Sequence, residues 1–285
     1  MGPLKSFIFC ALMVCNLELF SGVARAESHA LIVVGIAGEE AQGSAWKQEA
    51  KDWETLLISR KIRPRVIASP EGGKVVAGET TRDLVKAHLD SWAKNLTAQD
   101  DAVLVMIGYT VTRQGHSQFQ VRGPRLTGVD MVESLKNLKA RALTVFVTGP
   151  GGVGLGTALA GKNRAIISAT SDETEINLTR FGPYWIQMLA AAPDEPLIKL
   201  LNQCARKVNG YYEDHHFART ENARLWLNHD LVVEAPFDSL LTMPELQKWT
   251  LGDPTLATID LKKGDGETKE PIQSPPSPGS TPETL

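Results

Sequence analysis

Four stretches of this chain are nearly unbroken apolar runs: HALIVVGIAG (29–38), DDAVLVMIGY (100–109), RALTVFVT (141–148) and RAIISAT (164–170). A strand with one wet face alternates polar and apolar residues, whereas an unbroken run belongs to a strand buried on both faces, as in parallel sheets covered by helices. The segments between the runs repeat at helical spacing. Residues 44–58 place Ala45, Trp46, Ala50, Trp53, Leu56 and Leu57 along one stripe, and a helix capped by Thr80 or Thr81 and running to about Leu96 does the same with Leu84, Val85, His88, Leu89 and Trp92. RPRVIAS (63–69) supplies another strand after the first helix, a turn follows in EGGKVVAGE (71–79), and 117–122 alternates as an edge hairpin does. Leu126–Ala140, FGPYWIQMLAA and PLIKLLNQCARKVNGYY read as further helices. Strands alternating with helices predict an α/β fold, with a mostly parallel sheet of about five to six strands and helices on both faces, in one domain over 28–255.

A 285-residue chain with 42% hydrophobic residues has ample material for such a core. Its 30 basic and 33 acidic residues give a formal charge of -3, which supplies no general attraction to nucleic acid or to an anionic membrane. Residues 1–26 have Lys5 near the start, an apolar stretch from Phe7 to Phe20, and small residues at Ala24 and Ala26, the pattern of a secretory signal cleaved after Ala26. The expectation is export, periplasmic or secreted, with no membrane span once the signal is removed. Two of the three cysteines lie in this leader, so only Cys204 remains and no intramolecular disulfide is available. The last stretch, 262–285, holds five prolines in its final fifteen residues and little apolar material, and reads as a disordered tail.

The third of these runs, RALTVFVT, leads into a glycine-rich turn. Gly149, Gly151 and Gly154 fit the G-x-G-x-x-G spacing, and Asp172 ends the next strand some twenty residues on, as in a dinucleotide fingerprint. Against that, only Leu155–Lys162 separates turn and strand, Pro150 lacks an amide, and the turn follows a late strand rather than the first. A structural turn with close helix–strand packing is the alternative.

Together HALIVVGIAGEE, VLVMIGYT, RGPRLTGVDMVESL, KNRAIISATSDETEINLTRFGPYW and YYEDHHFARTENARLWLNHD resemble the legumain-type branch of the caspase-like cysteine peptidases, in particular its bacterial exported members. The resemblance covers roughly 28–230. It implies a peptidase-like fold in which one strand delivers a histidine followed by glycine and the next delivers a cysteine in a small-residue turn, the thiolate attacking and the imidazole protonating the leaving amine. On this chain the histidine position falls on Tyr109, the following glycine on Thr110, and the cysteine position on Gly151, or on Pro150 if the alignment slips by one. A phenol with a pKa near 10 is a poor base at neutral pH, and glycine offers no nucleophile. The resemblance therefore implies an inactivated peptidase-like domain that binds a peptide or protein. The candidate cleft residues are Tyr109, Thr110, Gly149, Pro150, Gly151, Thr170, Ser171 and Asp172, the last three lying where the family forms its primary specificity pocket; Ser171 or Asp172 as caps of a strand-to-helix turn is the competing role.

Two other functions stay open in the sequence: an active hydrolase with a relocated constellation drawn from Tyr109, His116 and Asp172, and a nucleotide-binding domain built on the 149–154 turn. His116 also fits a solvated hairpin tip, and Cys204, among Leu200, Leu201 and Val208, fits a core thiol. Asp214, His215 and His216 point in different directions on a helix, and APDEP carries too few carboxylates for a calcium loop, so neither metal nor cofactor is expected. Arg180 is expected to pair with an acidic neighbour.

Overall fold

The computed structural model describes residues 27–69, 80–228 and 231–251. The leader (1–26), the turn at 71–79, the tail (262–285) and the last few residues of the expected domain lie outside them.

The central sheet has seven strands in the order β10-β9-β8-β7-β3-β1-β2. Its parallel part is β1 (Ser28–Val34), β2 (Arg63–Ala68), β3 (Asp101–Ile107), β7 (Ala142–Val147) and β8 (Arg164–Ser168), the five strands expected from the apolar runs and from RPRVIAS. The two further strands, β9 (Arg224–Leu227) and β10 (Leu231–Glu234), extend the sheet antiparallel to their predecessors. They escape sequence reading because they are four residues long and belong to no crossover unit. At the opposite edge β2 carries Pro64 and two arginines, residues suited to a strand with one unpaired side.

Alternate residues of the buried strands point to opposite faces, and each face has its own core. Ile32, Val105, Phe146 and Ile167 pack under α1 (Glu40–Ser59), α5 (Phe181–Ala191) and α6 (Leu197–Asp214). Leu31, Leu104, Val145 and Ile166 pack under α2 (Thr81–Asn95), α3 (Gly128–Leu135) and α4 (Val153–Leu159). Thr80 caps α2 by accepting from the amide of Asp83 at 3.2 Å. The third helix is shorter than the expected Leu126–Ala140. Thr127 forms a reciprocal capping box with Asp130, fixing the start at Gly128, and Leu126–Thr127 becomes strand β6.

Between β3 and α3 the chain folds a second, three-stranded antiparallel sheet: β4 (Thr110–Arg113), β5 (His116–Phe119) and β6, in the order β4-β5-β6. The expected edge hairpin at 117–122 is thus shifted toward the N-terminus and gains a strand. His116 sits exposed where β5 leaves the turn.

Candidate functional site

Parallel strands β1, β3, β7 and β8 all end on one side of the molecule, where an open α/β sheet places its ligands. Here three adjacent strands end in glycine. Added Cβ atoms on Gly35, Gly108 and Gly149 would collide with neighbouring chain: that of Gly35 would stand 2.6 Å from the Gln120 carbonyl oxygen, and that of Gly149 1.9 Å from the Gly108 carbonyl oxygen. These glycines let three backbones touch where side chains would otherwise hold them apart.

The two positions that the resemblance aligns with the peptidase dyad follow the ends of the neighbouring strands β3 and β7. The amide of Thr110 donates to the carbonyl of Pro150 at 3.0 Å, stitching the two exits together. Gly151 has φ +68, and a Cβ there would lie 2.2 Å from the Thr110 carbonyl oxygen. A side chain at Gly151 would overlap the backbone of Thr110. The side chain of Tyr109 turns toward α1: its hydroxyl accepts from Gln42 Nε2 at 2.8 Å, and its ring meets that of Trp46 edge-on at 5.4 Å. Gln42 is held in turn by accepting the Gly38 amide at 2.9 Å.

The glycine turn spends its amides inside the protein. Gly151 N donates to the Glu175 carbonyl at 3.0 Å and Gly152 N to Thr170 Oγ1 at 2.8 Å. Thr170 is buried, so it serves the turn rather than a groove wall. Asp172 accepts from the amide and hydroxyl of Thr174, bonds that hold its carboxyl below the usual range, and the amides of Ser171 and Asp172 donate to Glu175 Oε2. This is a capped turn in which Glu175, absent from the sequence expectations, is the central acceptor; Asn222 donates to its other oxygen.

Tyr109, His116 and Asp172 are not brought together. Each is accounted for separately: Tyr109 by Gln42, Asp172 by Thr174, and His116 by its exposed place beside the hairpin turn. Cys204 is fully buried in the core, its thiol pushed well above its ordinary pKa by desolvation and by the nearby Glu221. The Arg180 guanidinium lies 4.7 Å from the Tyr211 ring centre and donates to the Tyr211 hydroxyl at 2.9 Å, while its charge also favours the ionised form of the expected acidic neighbour, Glu221, whose carboxylate accepts the Arg180 amide. Among the described residues, no group of three His, Cys, Asp or Glu side chains is placed to hold a metal, and no helix is long and apolar enough to cross a membrane.

No family model and no curated protein matches the chain. Solved structures do. Protein GSU0716 from Geobacter sulfurreducens is similar with a TM-score of 0.48 at 12% identity, over 70% of this chain and 92% of that one. The structure of pro-sf-caspase-1 is similar with a TM-score of 0.45 at 10% identity, over 67% of this chain and 83% of that one. The Drosophila initiator caspase Dronc gives a TM-score of 0.41 at 14% identity, over 65% and 74%.

Below the strand ends lie two buried carboxyls that the sequence did not single out. Glu49, on α1, accepts from the Thr148 hydroxyl at 2.7 Å, and desolvation pushes its pKa up to about 7 against that bond. Glu221 sits at the start of α5, accepting the amides of Arg180 at 2.8 Å and Phe181 at 2.7 Å; desolvation pushes it up to about 7 as well. Both act as acceptors that tie loops to the core. Glu49 was legible: with Trp46, Ala50 and Trp53 it lies on the buried stripe of α1, whereas Ala45 of the expected stripe is exposed.

The loops that surround this end expose large apolar side chains among their polar ones. Ile36 after β1, Ile176 and Leu178 after β8, and Phe217 after α6 are 41%, 61%, 50% and 58% exposed. Ser168 pairs with Arg224, so the loop from α6 enters β9 on the side where β8 ends. Four large apolar side chains therefore rim the carboxyl end of one sheet.

Proposed function

We propose that this chain is an exported, legumain/caspase-like pseudopeptidase that binds a peptide or protein through the loops at the carboxyl end of its sheet and does not cleave it. The observation that carries this reading is the geometry at Gly151, where the adjoining Thr110 carbonyl leaves no room for a nucleophilic side chain. Tyr109, at the position the resemblance gives to the general base, is committed to Gln42, which further supports the loss of chemistry. The hairpin exit has grown into the position of the dyad, so binding passes from a vestigial cleft to the rim.

The rim supports recognition of an extended apolar segment. A cluster of exposed large apolar groups on loops held by a rigid sheet is a common basis for protein recognition, because desolvating them supplies affinity at little ordering cost. Glu175, Glu221 and Thr170 hold those loops through backbone amides, so the apolar side chains are presented by a framed surface.

Selection of displayed peptides on the immobilised protein, followed by fluorescence anisotropy of the enriched sequences, tests the proposal. Ile176→Asp and Leu178→Asp are expected to weaken binding at least about tenfold with no change in thermal stability. Selected peptides that bind both variants as tightly as the parent would remove the rim as the binding surface.

A further inference from the structure

At the end of α6 a group of rings stands clear of the core. Tyr211 and His215 are 4.3 Å apart at an interplanar angle of 33°, and His215 and Phe217 are 5.7 Å apart at 30°. Phe217 is 58% exposed, His215 is exposed, and the Arg180 guanidinium lies over the Tyr211 ring, 4.7 Å from its centre. Tilted rings of this kind, open to water and flanked by a cation, match the surfaces that take proline rings, which prefer aromatic walls and arrive already extended, losing little entropy on docking.

The chain carries such a ligand itself. PIQSPPSPGSTPE, 271–283, has five prolines and is bracketed by Glu270 and Glu283, which suit the charge of Arg180. It is also within reach. The described chain ends at Leu251, two residues beyond Trp249, whose carbonyl accepts the Leu197 amide at 2.7 Å at the opposite end of α6 from the rings. The rise from Leu197 to Tyr211 is about 21 Å at about 1.5 Å per residue. The linker from Leu251 to Pro275 has a root-mean-square span of roughly 27 Å when flexible. Span and distance are close, the condition under which a tethered ligand has its highest effective concentration.

We infer that the proline-rich segment 271–282 docks on the Tyr211, His215 and Phe217 rings of its own chain. Phe217 belongs to the rim of the proposed function, and the inference rests on that reading only through this shared residue; docking of the segment would make it a competitor for whatever the rim binds.

Photocrosslinking in the full chain tests it without any external ligand, so its failure is separable from a failure of rim binding. With p-benzoylphenylalanine at Ala218, an exposed neighbour of Phe217, the adduct located by mass spectrometry is expected on 271–282. Its yield is expected to be independent of protein concentration and to fall at least about fivefold in Phe217→Ala and in the triple variant Pro275→Ser, Pro276→Ser, Pro278→Ser. Adducts elsewhere or none, a tail adduct unchanged in those variants, or adducts found only between isotopically distinct chains would each overturn it.

Discussion

The carbonyl oxygen of Thr110 occupies the place where a side chain on Gly151 would begin. The exits of β3 and β7 are joined by the hydrogen bond from Thr110 N to Pro150 O, and the turn at Gly151 takes a backbone conformation that costs any other residue strain. Gly151→Cys is therefore expected to destabilise the fold by about 3 kcal/mol or more, through αL strain and overlap together, and to create no peptidase activity. Chemical denaturation of the parent and variant measures this; a variant of unchanged stability would show that the turn can open.

How much of this was legible follows from what each signal encodes. The parallel strands and their helices were readable because a doubly buried strand leaves an unbroken apolar run. The glycines at Gly35, Gly108 and Gly149 were visible as the punctuation of those runs, but their mutual contact is a matter of register between distant segments and appears only in the fold. Glu49 stands on an apolar stripe, but a carboxylate is ordinarily assigned to solvent, so the pattern alone does not mark it as buried. Glu221 had no periodic context at all, since it caps a helix forty residues earlier in the chain. The strand pair β9 and β10 lies beyond the last crossover, where short segments carry little pattern.

The two buried carboxyls give the fold a pH dependence of definite sign. Each has a folded-state pKa of about 7 against an ordinary glutamate value of 4.5, so between those values the folded chain binds more protons than the unfolded one. Stability is then greatest below about pH 4.5 as far as these groups decide it, and falls as pH rises through about 7, by roughly 3 kcal/mol per group. Glu49→Gln is expected to flatten that slope, raising the melting temperature at pH 8 while leaving it nearly unchanged at pH 5. Scanning fluorimetry across this range checks it, and a parent whose stability rises from pH 5 to 8 by an amount that the variant shares would show that Glu49 ionises at no cost.

Glu221 has a second role as an acceptor for the first amides of α5 and for the Tyr212 hydroxyl. Glu221→Ala leaves those donors buried and unmatched and is expected to cost roughly 2–4 kcal/mol, while Glu221→Gln, which keeps an oxygen in place, costs less. Urea denaturation of the three proteins separates acceptor from charge; equal losses in both variants would assign the effect to the charge instead.

Cys204 is buried, and its raised pKa disfavours the thiolate. Its alkylation by iodoacetamide is expected to be at least about a hundredfold slower in the native protein than in urea. Rapid native labelling of this residue would place it in an accessible pocket and reopen a role in catalysis.

Incubation of the purified protein with a mixed library of internally quenched peptides, read as fluorescence released over time, tests the proposed loss of peptidase chemistry most directly. No cleavage above buffer is predicted between pH 5 and 8. Steady turnover that disappears in Tyr109→Phe would contradict it.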